Sequence, residues 1–182
     1  MTDLKLYIVD DKYIAYLQKT VSGHIFANND PFYRHARKYL GIIIEIGVYK
    51  YYVPLSSPKN SDYTLDEEGK KTVRKSIIPI IRMTESNQAG EKSLLGTLKF
   101  SNMIPVPDDQ IYLYDLNNES DQKYKTLVEK EVRFINRHTA QILKHAAVIY
   151  KQKKDGKEIH YLESTLDFSA LEKAYDAYCR QR

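Results

Sequence analysis

The sequence predicts an α+β fold: a strongly twisted, mainly antiparallel sheet, with helices packed on it. Three observations carry that expectation. Short stretches rich in β-branched and aromatic residues recur through the first 116 positions, separated by polar turns. A helical period then takes over, with Tyr124, Val128, Val132, Ile135, Thr139, Ile142, Ala146 and Ile149 at steps of three and four. A shorter amphipathic segment closes the chain.

In chain order, residues 4–9 alternate as a strand, and Asp10 or Asp11 caps a short helix with Tyr13, Ile14, Tyr16 and Leu17 at helical spacing. The stretch "SGHIFANNDPFY" is polar and turn-rich. Residues 39–46 and 49–55 form a hairpin broken at Gly47, and 59–75, charged and without periodicity, read as a mobile surface excursion. Strands are expected over 76–83, 94–103 and 110–116. Residues 121–151 form one continuous helix, and Ser169 with Glu172 spells a capping box for the last one.

The 182 residues suit one domain, 1–182. Hydrophobic residues at 42% and charged residues at 29% favour neither disorder nor a membrane class. The longest apolar run, 39–44, is too short to span a bilayer, and the first residues do not resemble a signal peptide, so a cytoplasmic protein is expected. A single cysteine, Cys179, excludes a disulfide framework and a cysteine zinc cluster. Net charge is only +4, yet residues 121–160 hold ten Lys/Arg against five Asp/Glu. That concentration fits a polyanion partner. Lys123, Lys130, Arg133, Arg137, Lys144 and Lys151 project opposite the apolar stripe. Sixteen tyrosines and no tryptophan supply core packing and, where exposed, platforms for unstacked bases.

Familiar catalytic patterns are missing. None of the seven glycines forms a phosphate-cradling loop, which argues against nucleotide hydrolysis. HExxH and GxSxG are absent, His138 and His145 look like helix-packing residues, and the acidic pairs fall at caps and turns. What remains is "YYVPLSSPKN", where a strand runs into two serines, a proline and a lysine. Such a turn is either ordinary surface or a phosphate site, with proline fixing the bend that gathers hydroxyls and an ammonium.

Four stretches resemble the ToxN/AbiQ family, endoribonuclease toxins of type III toxin–antitoxin and abortive phage-infection systems. They are "LKLYIVDDKYIAYL", "NDPFYRHARKYLGIIIEI" running into "YKYYVPLSSPKN", "GTLKFSNMIPVP" and "YKTLVEKEVRFINRH". The resemblance spans nearly the whole chain in order. It implies a sheet-centred, partial-barrel toxin fold similar to MazF-like ribonucleases. It also implies RNA cleavage with no cofactor or metal, through the ribose 2′-OH, giving a 2′,3′-cyclic phosphate and a 5′-OH. Cellular or phage mRNA is the implied substrate. The implied inhibitor is a small repetitive RNA pseudoknot, excised by the toxin from a precursor and closing with it into a ring-like assembly.

By the same resemblance the catalytic candidates are Tyr33 of the "DPxY" stretch, Arg37 where some relatives carry lysine, Ser56, Ser57 and Lys59. Lys59 would neutralise the developing charge, the serines would hold phosphate oxygens, Arg37 would clamp the phosphate, and Tyr33 would orient the ribose or shuttle a proton. Arg37 keeps the charge of lysine without its titratable amine. The basic helix face, continued by Lys151, Lys153, Lys154 and Lys157, with Lys99, would hold RNA, and Tyr112, Tyr114 and Phe134 offer rings to stack on bases. A non-catalytic RNA-binding regulator uses the same residues without cleavage, and a DNA-targeting toxin or nickase is a third, weaker reading.

Overall fold

The computed structural model describes residues 4–29 and 35–181. Strand β1 (Lys5–Val9) leads into α1 (Asp11–Thr20), whose cap is Asp10: its carboxylate accepts from Lys12 N at 2.8 Å. Strands β2 (Tyr39–Ile46) and β3 (Tyr49–Ser56) form the expected hairpin, and Gly47 at φ +59° supplies the left-handed residue in its turn. After β4 (Tyr63–Leu65) and β5 (Lys71–Val73) come β6 (Ile80–Ser86), β7 (Lys92–Lys99), β8 (Ile104–Pro105) and β9 (Ile111–Leu113). Three helices follow: α2 (Gln122–Lys154), α3 (His160–Glu163) and α4 (Phe168–Arg180).

The main sheet runs β6-β7-β3-β2-β1-β9, antiparallel at every step, with β8 also on β3. It is an open path, not closed into a barrel. Helix α2 lies on β2, β6 and β7, and α4 packs near β8. Between them sits a core that includes Leu40, Tyr51, Val53, Ile81, Met83, Leu98, Phe100, Val128, Ile135, Ile142, Ile149 and Leu171. Among the described residues, no helix is long and apolar enough to cross a membrane.

Four expectations change. Residues 59–75 are not a structureless excursion: a 3-10 turn at Asn60–Asp62 and the β4–β5 ladder order them, and Asp62 is 1% exposed. The strand expected over 94–103 breaks after Lys99, because Phe100 turns inward and its N–H pairs with Pro79 O at 2.9 Å. Helix α4 is capped by Asp167, which accepts from Ala170 N, so Ser169 and Glu172 lie inside it. Finally, α2 is not one smooth helix. His138 leaves helical geometry (φ −117°, ψ 15°), and its Nδ1 takes the Phe134 carbonyl at 2.8 Å. A side chain competing for an i−4 carbonyl bends a helix at that point.

Candidate active site

Strand β3 ends between two neighbours, and the candidate turn leaves from that end. Leu55 and Ser56 pair with Leu98 and Thr97 of β7, while Leu55 N also donates to Lys38 O at 2.9 Å. The backbone before β2, the end of β3 and the C-terminal end of β7 are thereby held side by side. Over them opens a cleft of about 250 Å³ lined by Asn28, His35, Arg37, Lys38, Ser56, Ser57, Lys59, Tyr124 and Glu131, with Ala36, Leu55, Leu95 and Leu127.

Four of the five catalytic candidates, Arg37, Ser56, Ser57 and Lys59, share this cleft. The fifth, Tyr33, lies outside the described residues. Arg37 is pre-positioned: Nη1 donates to Leu55 O (2.7 Å) and Ser56 Oγ (2.9 Å), Nε donates to Ala27 O (3.1 Å), and the guanidinium rests 4.6 Å from the Phe26 ring centre. A fork fixed before substrate arrives loses little entropy on binding an anion. Because Ser56 Oγ already accepts from Arg37, its own proton is free to be given to another oxygen.

Ser57 and Lys59 are exposed on the turn itself, and a buried anchor sets the turn's shape. Asp62 Oδ2 accepts from Lys59 N (3.0 Å), Asp62 N donates to Lys59 O (2.9 Å), and Asp62 Oδ1 accepts from Arg82 Nε (3.1 Å). Arg82, 8% exposed, also donates to Lys75 O at 2.8 Å. The turn is therefore tied to β6 by an ion pair sealed from water, where removing one partner costs far more than in a surface pair. Lys99 belongs to this corner rather than to the basic helix. It lines a second recess of about 700 Å³ with Asp62, Arg74, Lys75 and Arg82. Burial lowers its amine, Asp62 opposes that, and Arg82 and Lys59 add to it.

The same cleft holds groups that sequence reasoning missed. His35 stacks on Tyr124 (3.8 Å between ring centres, 3° between planes), and its Nε2 is 3.2 Å from Asp121 Oδ2. Lys38, 5% exposed, donates to Ala36 O at 2.7 Å and sits 4.5 Å over the Tyr114 ring. Burial lowers its amine, against the pull of Glu119 and Glu131. Asn28 Oδ1 is buried with no hydrogen-bond partner among the described residues. Glu131 is 7% exposed, and desolvation pushes its carboxyl up to about 8 despite the opposing charge of Lys38. One signal for Glu131 existed: it fills the position between Val128 and Ile135, where the apolar stripe passes toward the core.

The RNA-binding candidates separate into two groups. Lys123, Arg133, Arg137, Lys144 and Lys151 stand exposed along α2. Others are engaged internally. Lys130 pairs with Glu85 Oε2 (2.6 Å), Lys153 donates to Leu162 O (2.7 Å), and Lys154 donates to Glu172 Oε2 (2.7 Å) and Ser169 Oγ (3.1 Å). Phe134 is half-buried and stacked on His138 at 3.9 Å; Tyr114 is half-buried with its hydroxyl on Glu119, and Tyr112 is 55% exposed.

Cations and hydroxyls converge on one open cleft at the end of a central strand of an α+β fold, a donor set whose chemistry suits an anion. The chain belongs to the ToxN family: the family model described as Toxin ToxN, type III toxin-antitoxin system, matches residues 5–176. Endoribonuclease ToxN of Pectobacterium atrosepticum is 29% identical over 94% of this chain and 92% of its own length. Endoribonuclease AbiQ of Lactococcus lactis subsp. lactis is also 29% identical, over 98% of this chain and 91% of its own. Among solved structures, one from work on a bacterial antiviral system regulated by a processed non-coding RNA superposes with TM-score 0.78 at 27% identity, covering 94% of this chain and 97% of that one. AbiQ, described as a lactococcal anti-phage endoribonuclease, superposes with TM-score 0.77 at 23% identity over 98% of this chain and 99% of that one, a likeness of fold.

Proposed function

We propose that this protein is an endoribonuclease toxin that cuts cellular or phage mRNA and its own repetitive RNA precursor, and is restrained by the processed RNA pseudoknot. The observation that carries the reading is the meeting of Arg37, Ser56, Ser57 and Lys59 in one cleft, in a chain of this family. The ribose 2′-OH attacks the adjacent phosphate and the 5′-oxygen departs, leaving a 2′,3′-cyclic phosphate and a 5′-OH. Arg37, held by carbonyls and Phe26, grips a non-bridging oxygen. Ser56 and Ser57 donate to phosphate oxygens, and Lys59 faces the charge that builds on the phosphorane. The donor set supports chemistry without a metal: hydroxyls, an ammonium and a guanidinium are poor ligands for divalent ions. The exposed cations of α2 supply the sequence-independent hold on RNA, and a ring-like assembly with the pseudoknot accords with that face.

The test is cleavage of end-labelled RNA by purified protein in EDTA. Wild type is expected to give 5′-OH ends, and a 2′-deoxy substitution at the cut position is expected to block it. Ser57→Ala and Lys59→Ala each lose about 10²–10³ in rate while folding normally. Protection of RNA without cutting, or full activity in both variants, overturns the reading. For the partner face, Arg133→Glu with Arg137→Glu is expected to weaken pseudoknot binding and flatten its salt dependence; unchanged affinity assigns binding to another surface.

A further inference from the structure

We infer that Glu131 is the general acid of this cleft, the group that hands a proton to the departing 5′-oxygen. The inference rests on the endoribonuclease reading and fills a role that Arg37, Ser56, Ser57 and Lys59 leave open. Three structural observations support it.

The first is position. Glu131 lines the same cleft as Ser56, Ser57, Arg37 and Lys59, so a phosphate held by those residues shares one cavity with its carboxyl. The second is the space made for it. A methyl group at Gly96 of β7 would stand 2.4 Å from Glu131 Oε1, 3.1 Å from Ser56 O and 3.2 Å from Met83 Cε. The strand lacks a side chain where the carboxyl lies, beside the backbone of Ser56. The third is isolation. Among the described residues the Glu131 carboxyl has neither a hydrogen-bond partner nor an ion pair. A buried carboxyl that serves only structure is ordinarily hydrogen-bonded or paired.

The surroundings keep the proton on. Lys38, from the segment before β2, and Tyr124, two turns earlier on α2, are the groups coupled to Glu131, with His35, Arg37 and Lys59 also in the cleft lining. Strands β3, β6 and β7 present Ser56 O, Met83 and Gly96, none of which titrates. Desolvation outweighs Lys38 and holds the carboxyl at about 8, so it is protonated at neutral pH and poised to donate. In the step, the 2′-O to phosphorus bond forms as the phosphorus to 5′-O bond breaks. The 2′-OH proton leaves to a base in solvent, the Glu131 proton goes to the 5′-oxygen, and solvent returns a proton to Glu131 through the open cleft.

The experiment compares an ordinary RNA linkage with one carrying sulfur at the 5′ bridging position, whose thiolate leaves without protonation. Glu131→Gln, in the full chain, is expected to lose about 100-fold or more on the oxygen linkage and to cut the sulfur linkage within a few-fold of wild type. Equal loss on both linkages assigns Glu131 a structural role and overturns the inference, as does full activity on the oxygen linkage. Should the variant not fold, wild type decides. Its rate on the oxygen linkage falls as pH rises past about 8, and that fall is absent on the sulfur linkage; a fall shared by both overturns the inference. Wild type that cuts neither linkage at any pH removes the endoribonuclease reading and this inference with it, whereas cleavage by wild type with an unaffected Glu131→Gln removes the inference alone.

Discussion

Helices α2 and α4 each carry one buried glutamate toward the sheet, and the two are furnished in opposite ways. Glu172 of α4, 9% exposed, accepts from the Tyr51 hydroxyl at 2.9 Å, the Tyr150 hydroxyl at 2.6 Å and Lys154 Nζ at 2.7 Å. Desolvation raises its carboxyl, but these three donors outweigh it and the group lies below the ordinary value. Glu131 of α2, 7% exposed, has no such donors: the nearby cation, Lys38, gives its ammonium to Ala36 O. Similar depths of burial thus yield one anion locked into packing and one acid that keeps its proton beside an open cleft. What separates a structural carboxyl from a chemical one is its hydrogen-bond partners rather than its depth.

The comparison breaks most visibly in stability. Glu172→Ala strands two tyrosine hydroxyls and an ammonium, and is expected to cost about 3–5 kcal/mol in urea unfolding, with the folded fraction cutting RNA at the wild-type rate. Because the folded carboxyl of Glu172 is depressed, its contribution is present at neutral pH and is lost as pH falls through the folded value. Glu131→Gln should run the other way. Below about pH 4 Glu131 is protonated whether folded or not, and its effect vanishes. As pH rises toward 8 the unfolded chain releases the proton and the folded one does not, so wild type loses stability that the glutamine variant keeps. The variant's advantage grows across that window toward an upper bound on the order of 3–5 kcal/mol. A Glu131→Gln stability that tracks wild type from pH 5 to 8.5 erases the contrast.

Of the two glutamates, Glu172 alone stood out in the sequence, as half of a capping box. The strand hairpin of residues 39–55, the cap at Asp10 and the α2 stripe followed from local pattern, because periodicity and capping are set within a turn or two of chain. The turn at Ser56, Ser57 and Lys59 was legible as a cluster, since proline and hydroxyls sit together in sequence. Glu131 and Lys38 were not, because they meet the serines only after β2, β3 and β7 align. Asp62 was misread inside a charged stretch, as its partner Arg82 lies 20 residues away and burial, not composition, makes the pair matter. Glu172 fitted a capping box by spacing, yet Asp167 reaches the helix start first and frees Glu172 for Tyr51.

A smaller test enters through Gly96. Gly96→Ala pushes a methyl group to 2.4 Å from Glu131 Oε1 and to 3.1 Å from the Ser56 carbonyl. The carboxyl can swing aside but the Ser56 backbone, paired to β7, cannot. A cost of about 1–3 kcal/mol is expected, with cleavage lost as the acid is displaced. Adding Glu131→Ala should recover part of the stability and none of the activity. Recovery of both means the space at Gly96 serves packing alone.

The finest test sets the two lysines against each other. Lys154 is one of three donors to Glu172 and is itself about a third exposed, so Lys154→Met leaves Tyr51 and Tyr150 in place and should cost only about 1 kcal/mol. Lys38 opposes the rise of the Glu131 carboxyl through its charge, not through a hydrogen bond. Lys38→Met puts an apolar chain of similar length where the ammonium lay over Tyr114 and removes that charge, so Glu131 must hold its proton more tightly and the alkaline fall in cleavage rate, expected near pH 8, must move upward. The sign is what discriminates. A lysine that mattered by donating to the substrate would, when removed, lower the rate at every pH and leave the position of the fall unchanged; a lysine that tunes the acid moves the fall and spares the plateau.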